Sequence, residues 1–172
     1  KADDRSAGCK NYGWYGDSEI TKNDERHLIQ VSFFEKRVGE NMFQSFYPKE
    51  YMNSTYDIDF AKYRTEGYRA VIFDIDNTLV EHGAPADKRS IELIEWLKAL
   101  GYDIMLLSNN KEPRVKMFND AVHVNYIYKA GKPGAAGYEA AMKKMGVTKE
   151  QTVSVGDQIF TDMWGANRAG IH

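Results

Sequence analysis

Cysteine is nearly absent. Only Cys9 occurs in 172 residues, which excludes a disulfide framework and a cysteine-based zinc site and fits a reducing compartment. Charge of one sign is also missing. Lys and Arg number 23 against 25 Asp and Glu, a net charge of −2 mixed along the chain, so nothing attracts a polyanion and a nucleic-acid partner is not expected. No apolar run approaches the roughly 20 residues that span a bilayer, and the N-terminus has no signal-peptide core, so no transmembrane segment and a cytoplasmic location are expected. There is no internal repeat and no low-complexity tract. What remains is 42% apolar and 28% charged, ordinary for a globular protein with room for one domain and a short appendage.

From Tyr68 onward two periodicities alternate. YRAVIF, YDIMLLS, VNYIYKA and TVSVGD are short, rich in Val, Ile, Leu and aromatics, and lack polar alternation, as parallel strands covered on both faces do. DKRSIELIEWLKALG carries Ile91, Ile94 and Leu97 at helical spacing, widened by Leu93, Trp96 and Leu100, with Gly101 placed to end the helix. EPRVKMFNDA (with Pro113 suited to a first turn), GAAGYEAAMKKMG and FTDMWGANRAG read as further helices. Strand and helix alternating in this way imply an α/β fold, a doubly wound parallel sheet.

Ligands of open parallel sheets bind at the carboxyl ends of the strands. The first strand ends in Asp74, Asp76 and Thr78, and the second in Ser108, Asn109 and Asn110. The third is followed by Lys132, and the fourth ends in Gly156 and Asp157 with Asp162 a turn later. Two carboxylates one residue apart at the end of a buried strand repel each other unless a cation or a phosphoryl group joins them. Three acids, a hydroxyl and a lysine make a Mg²⁺ and phosphate site, because Mg²⁺ prefers carboxylate oxygens and a lysine serves as a point charge for phosphate.

DIDNTLV, LLSNN, KAGKP and VGDQIFTD together resemble the four motifs of the haloacid dehalogenase superfamily of phosphatases. Their variants are similar to the YqeG family of subclass IIIA, which is related to mitochondrial phosphatidylglycerophosphate phosphatases. The resemblance covers about 42–172. It implies a Rossmann-like fold without a cap domain and a Mg²⁺-dependent phosphomonoester hydrolase working through an aspartyl-phosphate. Asp74 would be the nucleophile and Asp76 the general acid/base. Ser108, Asn109 and Lys132 would bind the phosphoryl group. Asp157 would ligate Mg²⁺ with Asp74 and the Asp76 carbonyl, and Thr78 and Asp162 would support the site. Asp162 reads equally as a helix cap, Ser108 also as a turn cap, Lys132 also as a surface lysine. Arg114 reads as a solvated helix charge, or else as a contact to a second anionic group on the substrate. His27, His82, His123 and His172 lack ligand-like spacing.

Alternatives stay open at this level. A receiver-like signalling module also joins an acidic pocket to a Lys-Pro, but the paired acids here open the run of strands and Lys132 precedes the last one. A phosphatase fold kept as a scaffold would not need an intact acid set. The spacings Asp74 to Ser108 and Ser108 to Lys132 leave no room for a cap, so the open site suits a large or membrane-presented phosphomonoester such as phosphatidylglycerophosphate. Soluble sugar or nucleotide monophosphates are the alternative. Residues 42–67 are an aromatic lead-in expected to pack on the sheet, with peripheral membrane contact as its other reading. The phosphatase domain would be 68–172, one edge strand short. Residues 1–41 form an extension outside the resemblance, expected to be dispensable for catalysis unless HLIQVSFF fills that edge. Oligomeric state is not legible.

Overall fold

Residues 29–32 and 46–171 are described by the computed structural model, so Cys9, His27, Met42 and His172 lie outside the described residues. The strands are β1 (Ile29–Ser32), β2 (Glu50–Met52), β3 (Ala70–Phe73), β4 (Asp103–Leu107), β5 (Asn125–Ile127) and β6 (Thr152–Gly156). They form one sheet in the order β2-β1-β6-β3-β4-β5. The four strands read from the sequence run parallel to one another, Ile72 pairing with Met105 on one side and Ser154 on the other.

Alternate residues of these strands enter two different layers, because successive side chains point to opposite faces. Val71, Phe73, Ile104 and Leu106 pack with α1 (Phe60–Thr65), α2 (Lys88–Ala99) and α3 (Glu112–Val122) through Phe60, Ile94, Leu97, Val115 and Phe118. Ile72, Met105 and Leu107 pack with α4 (Ala136–Met145) and α5 (Trp164–Arg168) through Tyr138, Ala141 and Ala166. Burial on both faces explains the unbroken apolar runs of β3, β4 and β6, whereas β5, expected to be covered likewise, lies at the edge of the sheet and is only partly buried. Asp87 starts α2 with a reciprocal cap, its carboxylate accepting from Ser90 N–H while the Ser90 hydroxyl accepts from Asp87 N–H, and Gly101 (φ +80°) turns the chain away at the other end.

The sheet is mixed rather than wholly parallel. Ile29–Ser32, from within HLIQVSFF, lies antiparallel against β6, and β2 lies antiparallel against β1. The edge left open in the sequence reading is therefore filled from the N-terminal extension. An unpaired β6 would present a full row of backbone donors and acceptors to solvent. Deleting residues 1–41 is expected to lower the melting temperature by at least ~5 °C and to promote association, as β6 loses its neighbour and β2 its partner. Scanning calorimetry and sedimentation of the truncated chain would check it, and a stable monomer would show β1 to be dispensable.

Within the aromatic lead-in, Ile58, Phe60 and Tyr63 belong to the core. Phe60 is fully buried amid the rings of Tyr63, Phe73, Trp96 and Tyr102, whose hydroxyl donates to the Phe60 carbonyl. Tyr47 and Tyr51 stay exposed. Among the described residues no helix is long and apolar enough to cross a membrane. Between β3 and β4 there is a loop and α2, and between β4 and β5 only α3, so no domain is inserted over the carboxyl ends of the strands.

Candidate active site

Lys132 stands at the centre of the strand-end cluster. Its ammonium donates to Asp74 Oδ1 and to Asp162 Oδ1, each at 2.6 Å, and its side chain is only 3% exposed. It follows β5 in the chain. Its backbone is clamped by Asn109, whose Oδ1 accepts from Lys132 N–H (2.8 Å) and whose Nδ2 donates to the Lys132 carbonyl (2.9 Å). Asn109 thus spends its side-chain amide on aiming Lys132. Burial alone would push the Lys132 pKa down, but Asp162 and Asp74 outweigh it and hold the ammonium above its ordinary value.

Asp74 directly follows β3, continuing its ladder through a bond from its N–H to the Val155 carbonyl. Its carboxyl is raised to about 7: burial is the largest cause, Lys132 opposes it, and the charges of Asp162 and Asp157 add to it. Asp157, just after β6, is likewise raised by burial and then by Asp162. Oxygens of Asp74, Asp157 and Asp162 all lie within 4.8 Å of one another. Such crowding of oxygens is what a small divalent cation relieves.

A wide turn delivers Asp162. Residues Ile159–Met163 form a π-helical turn in which both Asp162 and Met163 N–H donate to the Gln158 carbonyl. The turn swings the Asp162 carboxylate back over Gly156, where an added Cβ would sit 2.5 Å from Asp162 Cγ, so only glycine permits the approach. Asp162 Oδ2 also accepts from Gln158 N–H (3.2 Å). One oxygen holds Lys132 and the other closes its own turn, while α5 begins without a side-chain cap, so Asp162 does not cap the helix that follows.

Asp76 points to a separate group of donors. Its Oδ1 accepts from Gly83 N–H (2.7 Å) and from Arg114 Nη2 (2.7 Å) and Nε (3.2 Å), and its Oδ2 accepts from Asn110 Nδ2 (2.7 Å). Arg114 is therefore not a solvated helix charge, because its side chain is only 13% exposed and lies against Asp76. His82 Nδ1 lies 3.9 Å from the same Asp76 oxygen, at the exposed rim. Gly83 was not expected near the site, and Arg114, expected either in solvent or against a second anionic group of the substrate, instead meets Asp76. The signal that was available is the spacing in SNNKEPR, where a strand-end loop runs into the first turn of α3.

Ser108 is buried at the end of β4, its Oγ accepting from Asn110 N–H (3.2 Å), which keeps its hydrogen for donation. Thr78 lies in the tight turn after Asp76. Its carbonyl accepts from Thr55 and its buried Oγ1 has no hydrogen-bond partner among the described residues. His123 is an exposed left-handed residue ending α3, away from this cluster.

Comparison with known proteins places these residues in context. A family model described as haloacid dehalogenase-like hydrolase matches residues 84–170. The chain is similar to a probable phosphatase, YqeG, of Bacillus subtilis, with 39% identity over 128 residues, 74% of this chain and 74% of that protein. It is also similar to the chloroplastic/mitochondrial phosphatidylglycerophosphate phosphatase 1 of Arabidopsis thaliana, with 29% identity over 66% of this chain but only 35% of that protein. Among solved structures, the cobalt-bound deoxy-D-mannose-octulosonate 8-phosphate phosphatase YrbI of Haemophilus influenzae matches 52% of this chain and 58% of its own, with a TM-score of 0.43 and 20% identity.

Proposed function

The chain belongs to the haloacid dehalogenase-like hydrolases and is a phosphatase of that family, and we propose that it hydrolyses phosphomonoesters through an aspartyl-phosphate on Asp74 with Mg²⁺ as the working cation. The observation that carries this reading is Lys132, buried between Asp74 and Asp162 beside Asp157. The three converging carboxylates fit a divalent cation. Asp74 and Asp157, with the Asp76 main-chain carbonyl, would hold it, and it would supply positive charge that offsets repulsion between the nucleophile and the phosphoryl oxygens.

The chain's own residues then divide the work. Lys132 and the Ser108 hydroxyl take the phosphoryl oxygens, whose charge spreads in the transition state. An Asp74 carboxylate oxygen forms a bond to phosphorus as the bond from phosphorus to the ester oxygen breaks, and Asp76 gives that oxygen its proton. Asp76, now ionised, takes a proton from water as the water oxygen attacks phosphorus and the Asp74–phosphorus bond breaks. The products are an alcohol and inorganic phosphate.

For substrate we favour a phosphomonoester on a bulky or membrane-presented molecule, phosphatidylglycerophosphate first. The absence of an inserted domain between the described strands and the similarity to a phosphatase of that lipid support this choice. The deciding assay compares turnover of this lipid in mixed micelles with that of soluble sugar and nucleotide monophosphates, all with Mg²⁺. A soluble monophosphate preferred by about tenfold or more in kcat/KM would replace the lipid as substrate.

Asp157→Asn is expected to raise the Mg²⁺ concentration for half-maximal activity by at least ~10-fold. Asp162→Asn should change it less and should instead lower thermal stability, because this carboxylate's contacts are to Lys132 and Gln158. Metal titrations of the two variants beside the parent chain separate these roles, and a parent-like curve for Asp157→Asn would remove it from the metal site.

A further inference from the structure

We propose that Arg114, together with Asn110, is the positioning residue of the acid/base step, holding Asp76 so that Oδ2 rather than Oδ1 faces the ester oxygen. The inference rests on the phosphatase reading above and adds to it a residue that lies outside the strand-end motifs.

Asp76 Oδ1 accepts three N–H donors, from Gly83 N, Arg114 Nη2 and Arg114 Nε, whereas Oδ2 accepts one, from Asn110 Nδ2. An oxygen facing three N–H groups cannot also carry a hydrogen, since a protonated oxygen there would point its O–H at other donors. The proton passed to the leaving group therefore travels on Oδ2, and the contacts to Oδ1 set the direction in which Oδ2 points. Arg114 is suited to this task because its planar fork makes two contacts to one side of a carboxylate, fixing the rotation of the group as a lysine would not.

Placement supports the assignment. Arg114 stands in the first turn of α3, six residues after Ser108, and Val115 beside it is fully buried in the core. The stretch 108–114 thus carries Ser108 for the phosphoryl group, Asn109 for Lys132, and Asn110 and Arg114 for Asp76. One short connection carries contacts to both the phosphate end and the leaving-group end of the site. A guanidinium withdrawn this far from water and set against a carboxylate is otherwise a costly way to anchor a helix.

The test uses the full chain with Mg²⁺ and two phosphomonoesters that differ in leaving group, p-nitrophenyl phosphate and an alkyl phosphate. The aryl oxide departs without help, but an alkoxide must be protonated. Arg114→Met is expected to lower kcat for the alkyl ester by about 10²-fold with KM within about threefold. With p-nitrophenyl phosphate it should show a burst of about one p-nitrophenol per chain, because phosphorylation of Asp74 proceeds while hydrolysis, which needs Asp76 as base, is slowed. Arg114→Lys should restore part of the alkyl-ester rate. In an Asp76→Asn background, Arg114→Met should cost nothing further. If Arg114→Met does not fold, Asn110→Ala and Arg114→Lys carry the same leaving-group comparison. Absence of the p-nitrophenol burst, a raised KM as the main effect, or additive losses with Asp76→Asn would overturn the assignment. An active parent chain with an unaffected Arg114→Met sinks only this inference, whereas a parent chain inactive on every ester sinks the phosphatase reading itself.

Discussion

Asp74→Asn is expected to abolish phosphate release while making the metal-free protein more stable. An amide nitrogen does not attack phosphorus, so activity should fall by about 10⁴-fold or more. The stability effect follows from the raised Asp74 carboxyl, which burial pushes from the usual carboxylate range up to about 7. A carboxyl that binds its proton more tightly when folded than when unfolded loses stability as pH rises from about 4 to about 7, and carries a constant penalty above that. Asparagine has no charge to bury. At pH 8 without metal the variant should gain about 2 kcal/mol, because losing one Lys132 contact offsets part of the relief. That corresponds to roughly 4–8 °C in Tm, and the gain should vanish near pH 4. Calorimetry at the two pH values checks the sign, and appreciable turnover by the variant would end the covalent mechanism.

Lys132→Met is expected to damage both chemistry and folding. Its ammonium is the cation lying between Asp74 and Asp162, and Asp157 stands within 4.8 Å of both. Without it, buried carboxylates face one another uncompensated, which costs about 3–5 kcal/mol, or roughly 6–20 °C in Tm for a chain of this size. Loss of a preorganised charge from the phosphoryl group should lower kcat by about 10²–10³-fold. The stability deficit has a direction in pH. It should be largest above pH 7, where the carboxylates are ionised, and shrink as they take up protons on acidification. Lys132→Arg should not rescue activity, since a planar fork does not replace a compact ammonium between two carboxylates 2.6 Å away. A small, pH-independent change in Tm would mean that the cluster is solvated in solution and that the bridge does not organise it.

Local pattern was enough to read the parallel sheet. Apolar runs four to five residues long, without alternation, could only be strands covered on both faces, and β3 and β6 are buried along their entire length. From there the rule that ligands meet strand ends brought Asp74, Ser108, Lys132 and Asp157 to one edge before any contact was known. The order of those residues along the chain also set this arrangement apart from a receiver-like one. None of that required knowing how a helix packs.

The rest depended on tertiary structure. Arg114 looked like one more charge on a helix because sequence spacing places it on α3 but does not say that the first turn of α3 lies over Asp76. That position is set by Val115 and Phe118 entering the core beside Leu97 and Phe73. Asn109 offered an amide that suited phosphate, and only the path of the loop after β5 brought the Lys132 backbone within its reach. Gly83 became a donor to Asp76 because the loop before α2 folds back with a left-handed residue at φ +77°. Strand periodicity is a local property of the backbone and can be read residue by residue. A contact between two loops depends on where packing holds elements that are distant in the chain, and here that packing decided which donors meet each oxygen of Asp76.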